Sequence, residues 1–162
     1  MKCESIAMPM PAGFDRLPVV AVWEPGEWVL CCDVTYTSLD GVRYVIPAGF
    51  VTDFASIPRP AQALYAIDDE TRCPALLHDW LYCLQLTTRA EADALFLEAL
   101  GRAGVRWSKR RLMHGAVRVG GWRYWSAHGG ELRQDDFVTP DVMGFLIRCH
   151  PLHPLHTNQP VD

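Results

Sequence analysis

Apolar and polar positions follow two different periods along the chain, one typical of strands and one typical of helices. Residues 17–23, 28–37 and 42–46 are rich in β-branched and aromatic side chains, as strands usually are. Asp40 followed by Gly41 separates the last two of these segments and is a frequent hairpin turn. Residues 17–51 are therefore predicted to form a small antiparallel sheet.

A central helix is predicted over residues 73–83, with the sequence CPALLHDWLYC. Pro74 suits a first helical turn, where the missing amide hydrogen is not needed. The segment is apolar on nearly every side, which is typical of a buried helix. It is interrupted only by the adjacent His78 and Asp79.

Two further helices are predicted after the central one. Thr88 and Glu91 have the spacing of a capping box, and Asp93 lies at the margin of the apolar stripe that follows. Ser108 is expected to cap a third helix over residues 109–127, whose first turn is basic. A basic first turn indicates either an anionic partner or a solvated face, and the solvated face is favoured.

The fold class is accordingly α+β, with an N-terminal antiparallel sheet followed by three helices in one domain. The predicted parts are an irregular arm (1–16), the sheet (17–51), a site loop (52–60), the helices (61–128) and an irregular extension (129–162). In the extension, His150, His153 and His156 would share one face of a polyproline II helix, although a flexible tail is favoured.

Composition excludes several classes of protein. Apolar residues make up 49% of the 162 residues, which is typical of a globular chain, and the net charge of −4 gives no general attraction to nucleic acid. No apolar run reaches the length of about 18 residues that a membrane span needs, and no secretory signal is expected. The six cysteines include no Cys-x-x-Cys pair, so reduced thiols are expected rather than a zinc site.

The adjacent His78 and Asp79 are the first candidate site. A buried imidazole beside a buried carboxylate costs free energy unless both have partners or a chemical role. Taken alone, the pair favours a satisfied core histidine next to an exposed or capping aspartate. The loop 52–60 adds a second group of polar residues among apolar ones, with Asp53, Ser56 and Arg59. Such a loop either lines a site or connects a strand to a helix.

Four motifs carry a resemblance to a known family. They are GFVTDFASIPR (49–59), LLHDWLY (76–82), RAEADALF (89–96) and MHGAVRVGGWRYW (113–125). In this order they resemble a family catalogued as domain of unknown function 1353, which is found chiefly in tailed bacteriophages and prophages. The resemblance covers about residues 28–125, and it implies a phage origin but no established activity.

The spacing of His78, Asp79 and Tyr82 is also similar to the helix signature of phospholipases A2. This resemblance implies that His78 is the general base for a water that attacks an ester, and that Asp79 holds calcium. Asp93 would orient the imidazole, with Tyr82 steadying it. Asp53 is the loop residue that could add a calcium ligand.

Ser56, Arg59 and Arg89 complete the polar group and are the residues expected to bind substrate. The alternative for Arg89 is an ordinary helical ion pair with Asp93, four residues later.

Two functions therefore stay open. The first is a structural or assembly component of the virion, at its tail, that contacts other virion proteins and is made in the host cytoplasm. The second is a calcium-dependent ester hydrolase with a His-Asp dyad that acts on host envelope lipid. The first is preferred, and contact between His78 and Asp93 in an open cleft would favour the second.

Overall fold

The computed structural model describes residues 10–54, 69–128, 136–139 and 141. Antiparallel strands come first and helices follow, which confirms the α+β class. The strands are β1 (Val20–Glu24), β2 (Glu27–Leu30), β3 (Val34–Thr37), β4 (Arg43–Ile46) and β5 (Val51–Thr52).

The strands form two sheets, so the prediction of a single sheet was wrong. One sheet has the order β1-β2-β5 and the other pairs β3 with β4 across the predicted Asp40–Gly41 turn. The predicted strand 28–37 is divided between them because the chain bends at residues 31–33. Asp33 stabilises this bend, since its Oδ1 accepts a hydrogen bond from the amide of Ala48 at 2.8 Å.

The end of the predicted irregular arm is part of the fold. Phe14 is buried and forms an isolated bridge with Tyr36 of β3. The amide of Thr35 donates to Asp15 Oδ1 at 2.8 Å, which ties the same stretch to the sheet. Residues 1–9 lie outside the described residues.

The described helices are α1 (Asp69–Leu84), α2 (Arg89–Arg102), α3 (Trp107–Gly120) and α4 (Trp122–His128). Helix α1 begins four residues before the predicted start, so Pro74 lies inside it rather than in its first turn. Acidic residues at this end suit the positive end of the helix dipole and help the helix to begin early. The first part of the predicted helical region, residues 61–68, lies outside the described residues.

The third predicted helix is two helices, and its cap is not Ser108. Helix α3 ends at Gly120 with Gly121 as its C-cap, and α4 starts directly afterwards. The N-cap of α3 is Arg106, which makes no side-chain capping bond. Ser108 lies inside the helix because the chain is already helical at Trp107.

The capping box of α2 is present, and its contribution to stability can be tested against a control substitution at Ser108. The amide of Glu91 donates to Thr88 Oγ1 at 3.3 Å, and the amide of Thr88 donates to Glu91 Oε2 at 2.7 Å. We expect Thr88→Ala to lower the free energy of unfolding by about 1 kcal/mol. Ser108→Ala should change it by less than about 0.5 kcal/mol, as exposed substitutions usually do. Urea unfolding checks this, and equal effects would contradict the capping assignment.

The core lies between the sheets and α1, and α2 with α3 encloses a second apolar cluster. Side chains of α1 pack against Tyr36, Ile46 and Phe50, and Phe96 packs with Met113 of α3. Phe137, from the predicted irregular extension, also packs on this core. Among the described residues, none of the helices has the length and hydropathy that crossing a bilayer requires. The three histidines of the predicted tail lie outside these residues.

Candidate functional site

His78, Tyr82 and Asp93 form a hydrogen-bonded group between α1 and α2. His78 and Tyr82 are one turn apart on α1, so both side chains point toward α2. The Tyr82 hydroxyl donates to Asp93 Oδ1 at 2.6 Å, and His78 Nε2 lies 3.2 Å from the same oxygen. The structure thus brings together the three residues that the resemblance to phospholipases A2 groups, while their roles in catalysis stay a prediction.

The group is closed to solvent. His78 is 1% exposed, and Tyr82 and Asp93 are 0% exposed. The expectation that Asp93 lies at the margin of the apolar stripe was therefore wrong. Its carboxylate is tolerated in the interior because donors from two helices surround it.

Arg118 of α3 is the partner that the sequence analysis missed. Its Nη1 donates to Asp93 Oδ2 at 3.3 Å, while 44% of its side chain remains exposed. Asp93 thereby joins α1, α2 and α3 through one carboxylate. Nothing in the sequence distinguishes Arg118 from the other basic residues of α3, so only the packing of α3 identifies it.

The aromatic surroundings fix the imidazole ring. The centroid of the His78 ring lies 4.0 Å from that of Tyr82 and 4.7 Å from that of Phe96. On the other side of Tyr82, Gly121 leaves no room for a larger residue, since a Cβ there would lie 2.5 Å from the Tyr82 hydroxyl. The ring of His78 is thus held in one orientation by packing as well as by Asp93.

Electrostatics favour a neutral imidazole and an ionised Asp93. Burial lowers the pKa of His78 below its ordinary value, and this outweighs the opposing effect of Asp93. Burial alone would raise the pKa of Asp93, but hydrogen bonds from His78 and Tyr82 outweigh it and hold that pKa low. Burial and the bond to Asp93 raise the pKa of Tyr82. Because a carboxylate only accepts hydrogen bonds, Nε2 of His78 carries the proton and the lone pair is at Nδ1.

The lowered pKa of His78 predicts that acid destabilises the protein. The unfolded chain takes up a proton at this residue near pH 6.5, and the native chain does not, so stability falls as the pH falls below about 6.5. The expected slope is up to about 1.4 kcal/mol per pH unit for this one proton. Asp93, with its low native pKa, adds a further loss below about pH 4.

Urea unfolding at a series of pH values measures this slope. His78→Gln should reduce the slope just below pH 6.5, because glutamine does not titrate there. His114→Gln is the matched control outside the group, and it should keep the part of the slope that His78 contributes. An unchanged slope in His78→Gln would contradict the assignment.

Asp79 faces the sheets rather than Asp93. The Thr52 hydroxyl donates to Asp79 Oδ2 at 2.6 Å, and the amide of Phe54 donates to Thr52 Oγ1 at 3.0 Å. Asp79 is buried, whereas Asp53 is exposed. Phe54 has a φ of 52°, a strained backbone conformation for an aromatic residue, where the chain leaves β5.

The charges of the two predicted calcium ligands, Asp79 and Asp53, act on the same two side chains, Cys83 and Tyr124. Burial raises the pKa of Cys83 to about 12, and the charges of Asp136, Asp79 and Asp53 act in the same direction. Asp79 and Asp53 also raise the pKa of Tyr124, after the larger effect of burial. Within the part of the chain that the structure describes, however, no three His, Cys, Asp or Glu side chains form a cluster that could hold a metal ion. The calcium assignment stays a prediction.

Of the three predicted substrate-binding residues the structure describes Arg89, which lies beside the buried group, because its charge and a hydrogen bond act to lower the pKa of Tyr82. Arg89 Nη1 donates to the Arg118 carbonyl at 3.1 Å, so Arg89 stabilises the end of α3. It is Arg118 that pairs with Asp93, in place of the helical pair considered for Arg89. Ser56 and Arg59 lie outside the described residues, as does most of the predicted site loop.

Comparison with known families agrees with the four sequence motifs. The model of the family described as Protein of unknown function (DUF1353) matches residues 28–117. The chain belongs to this family. No curated protein and no solved structure matches it. The region matched to DUF1353 holds most of β2, all of β3 to β5, α1 and α2, and most of α3. It therefore contains His78, Tyr82 and Asp93 but ends one residue before Arg118.

Proposed function

We propose that this DUF1353 protein is a structural component of a bacteriophage particle, assembled at the tail, in which the His78–Asp93 group fixes the fold. The bacteriophage setting rests on the resemblance carried by the four motifs. The assembly role is carried by one observation, the large apolar side chains that the helices leave exposed. In the second half of the chain these include Trp107, Leu112, Val119 and Trp122.

Exposed apolar side chains support an assembly role because they need a partner. Scattered apolar residues are normal on a protein surface, but exposed tryptophan is enriched where proteins contact each other. Arg111 lies over the ring of Trp107 at 5.7 Å, and Arg123 lies over the ring of Trp122 at 5.8 Å. Tryptophan and arginine are among the residue types most enriched at the hot spots of protein interfaces.

The closed His78–Asp93 group supports the same proposal. A general base must reach a water molecule and a substrate, and the His78 side chain is 2% exposed. A fully bonded interior network instead aligns the helices that carry it. The surface, rather than this group, is then the functional part of the molecule.

The proposal is tested on particles produced from the phage or prophage genome that encodes the chain. Density-gradient fractions are probed with an antibody against the protein, and the particles are imaged by immunogold electron microscopy. The protein should sediment with particles and the gold should lie at the tail. A protein that stays in the particle-free fraction would overturn the proposal.

A second candidate is a calcium-dependent ester hydrolase that acts on envelope lipid. One observation favours it, namely the contact of 3.2 Å between His78 Nε2 and Asp93, which leaves the basic lone pair of the imidazole at Nδ1. The same arrangement serves a purely structural role, so activity has to decide.

Calorimetry with calcium and hydrolysis of phospholipid vesicles distinguish the two candidates. The structural role predicts no turnover in the wild type and no binding heat that depends on Asp79. Calcium binding that is lost in Asp79→Asn, with turnover lost in His78→Gln, would establish the hydrolase. Thermal melting of each variant shows that it is folded during the assay.

A further inference from the structure

A groove between α2 and α3 combines an apolar floor with a cationic rim. It has a volume of about 450 Å³, within the range of ligand-binding clefts. We call it the basic groove and define it by the residues that line it: Leu39, Ala94, Leu97, Glu98, Trp107, Arg110, Arg111 and His114. None of these residues belongs to the His78–Asp93 group.

Basic residues are concentrated in the part of the chain that carries α3, and two of them, Arg110 and Arg111, line this groove. Residues 99–130 contain seven of the 15 Lys and Arg residues and none of the 19 Asp and Glu residues, although the whole chain has a net charge of −4. On α3, residues 107, 110, 111 and 114 recur at helical spacing and form one wall. A positive wall on an acidic protein indicates an anionic partner at this place.

The groove is held open by specific contacts. Glu98 Oε1 accepts hydrogen bonds from the Tyr36 hydroxyl at 2.6 Å and from the amide of Leu39 at 2.9 Å. Leu39 is thereby fixed beside α2 although it is 75% exposed. Gly101, near the end of α2, makes room for Arg110 of α3, since a Cβ at Gly101 would lie 2.5 Å from Nη1 of Arg110. Such preorganisation lowers the entropic cost of binding.

We propose that the basic groove binds an acidic protein segment that places an aromatic or aliphatic side chain between α2 and α3 and carboxylates against Arg110 and Arg111. This inference rests on the proposed assembly role and states the chemistry of the partner. The half-buried Leu97, with the exposed Leu39 and Trp107 also in the lining, gives a side chain of a peptide an apolar surface to contact.

Glu98 gives a reason to favour a peptide over nucleic acid. It lies in the lining with its charge partly balanced by Arg102, whose Nη1 is 3.6 Å from Glu98 Oε1. A nucleic acid carries a phosphate at every nucleotide and would bring several negative charges to this carboxylate. A peptide can place its carboxylates opposite Arg111 and an uncharged group opposite Glu98.

Peptide selection tests the inference. A library of random short peptides is panned against the full-length protein, and peptides that also bind an Arg110→Glu, Arg111→Glu double variant are removed by counter-selection. Enriched peptides should carry acidic residues next to an aromatic or aliphatic residue. Affinity of the consensus peptide, measured by fluorescence polarisation, should fall at least about tenfold in Arg111→Glu. Gly101→Ala should weaken binding severalfold, because it displaces the Arg110 guanidinium without removing its charge.

Arg123→Glu is the matched control. Arg123 also lies over a tryptophan ring, but outside the basic groove, so its replacement should change the affinity by less than about twofold. Equal losses in the two variants, no enriched peptide, or enriched peptides without acidic residues would each overturn the inference. The inference would also be overturned if the protein bound phosphatidylglycerol vesicles or a single-stranded oligonucleotide in place of acidic peptides, and lost this binding in Arg111→Glu. Immunogold labelling of particles is independent of this assay, so the assembly role and the groove can fail separately.

Discussion

Asp93→Ala is expected to lower the free energy of unfolding by about 2–6 kcal/mol, because two buried donors lose their shared acceptor at a cost of about 1–3 kcal/mol each. The variant leaves His78 and the Tyr82 hydroxyl buried without their shared acceptor, and it removes the ion pair with Arg118. Each unsatisfied buried group adds a desolvation cost. Urea unfolding followed by circular dichroism measures the loss.

Graded variants separate the parts of this effect. Tyr82→Phe removes one hydrogen bond and should cost about 1 kcal/mol. Asp93→Asn keeps an acceptor for Tyr82 but removes the charge, so its loss should be smaller than that of Asp93→Ala. Glu27→Gln removes an exposed carboxylate and should have little effect. A loss for Asp93→Ala no larger than that for Glu27→Gln would contradict the network.

Gly121→Ala is expected to destabilise the protein by about 1–3 kcal/mol, the usual cost of overpacking. Gly121 has a φ of −67°, which any residue adopts, so the constraint is space and not backbone conformation. An added Cβ would lie 2.5 Å from both the Tyr82 hydroxyl and the Val117 carbonyl oxygen. Either α4 or Tyr82 must then move, which disturbs the bond to Asp93.

Gly115→Ala is the matched control on the preceding helix. A Cβ at Gly115 would meet nothing within 4 Å, and the residue is exposed in the interior of α3. Alanine should therefore stabilise the helix by about 0.5–1 kcal/mol. The two changes are chemically identical and should shift the melting temperature in opposite directions. A stabilising Gly121→Ala would show that this close packing does not exist.

Local sequence patterns predicted a structural element correctly where a short motif determines that element. The Asp40–Gly41 turn and the Thr88–Glu91 capping box are short-range features, and both are present. The predicted ends of strands and helices were wrong where tertiary contacts determine them. Residues 28–37 have strand composition throughout, but the bend around Asp33 divides them between two sheets, and α1 starts at Asp69, four residues before the apolar segment from which the helix was predicted.

The site was predictable only in part, for the same reason. Helical spacing places His78 and Tyr82 on one face of α1, and the resemblance to phospholipases A2 implied that Asp93 of the following helix joins them. Arg118 could not, because its partner is 25 residues away and depends on how α3 packs. Spacing also cannot tell a closed pocket from an open cleft. The burial of Asp93, which separates a structural from a catalytic role, is visible only in the folded chain.

The central claim is that His78 is a neutral, closed interior side chain bonded through Nε2 to Asp93. NMR titration of selectively labelled histidine tests it most directly, with His78→Gln used to assign the signal. We expect the His78 ring to remain the Nε2-protonated neutral tautomer through pH 6.5 and below, until the protein unfolds, with slow exchange of the Nε2 proton. A titration midpoint at or above 6.5, or rapid exchange with solvent, would contradict the account and would place His78 in an open site.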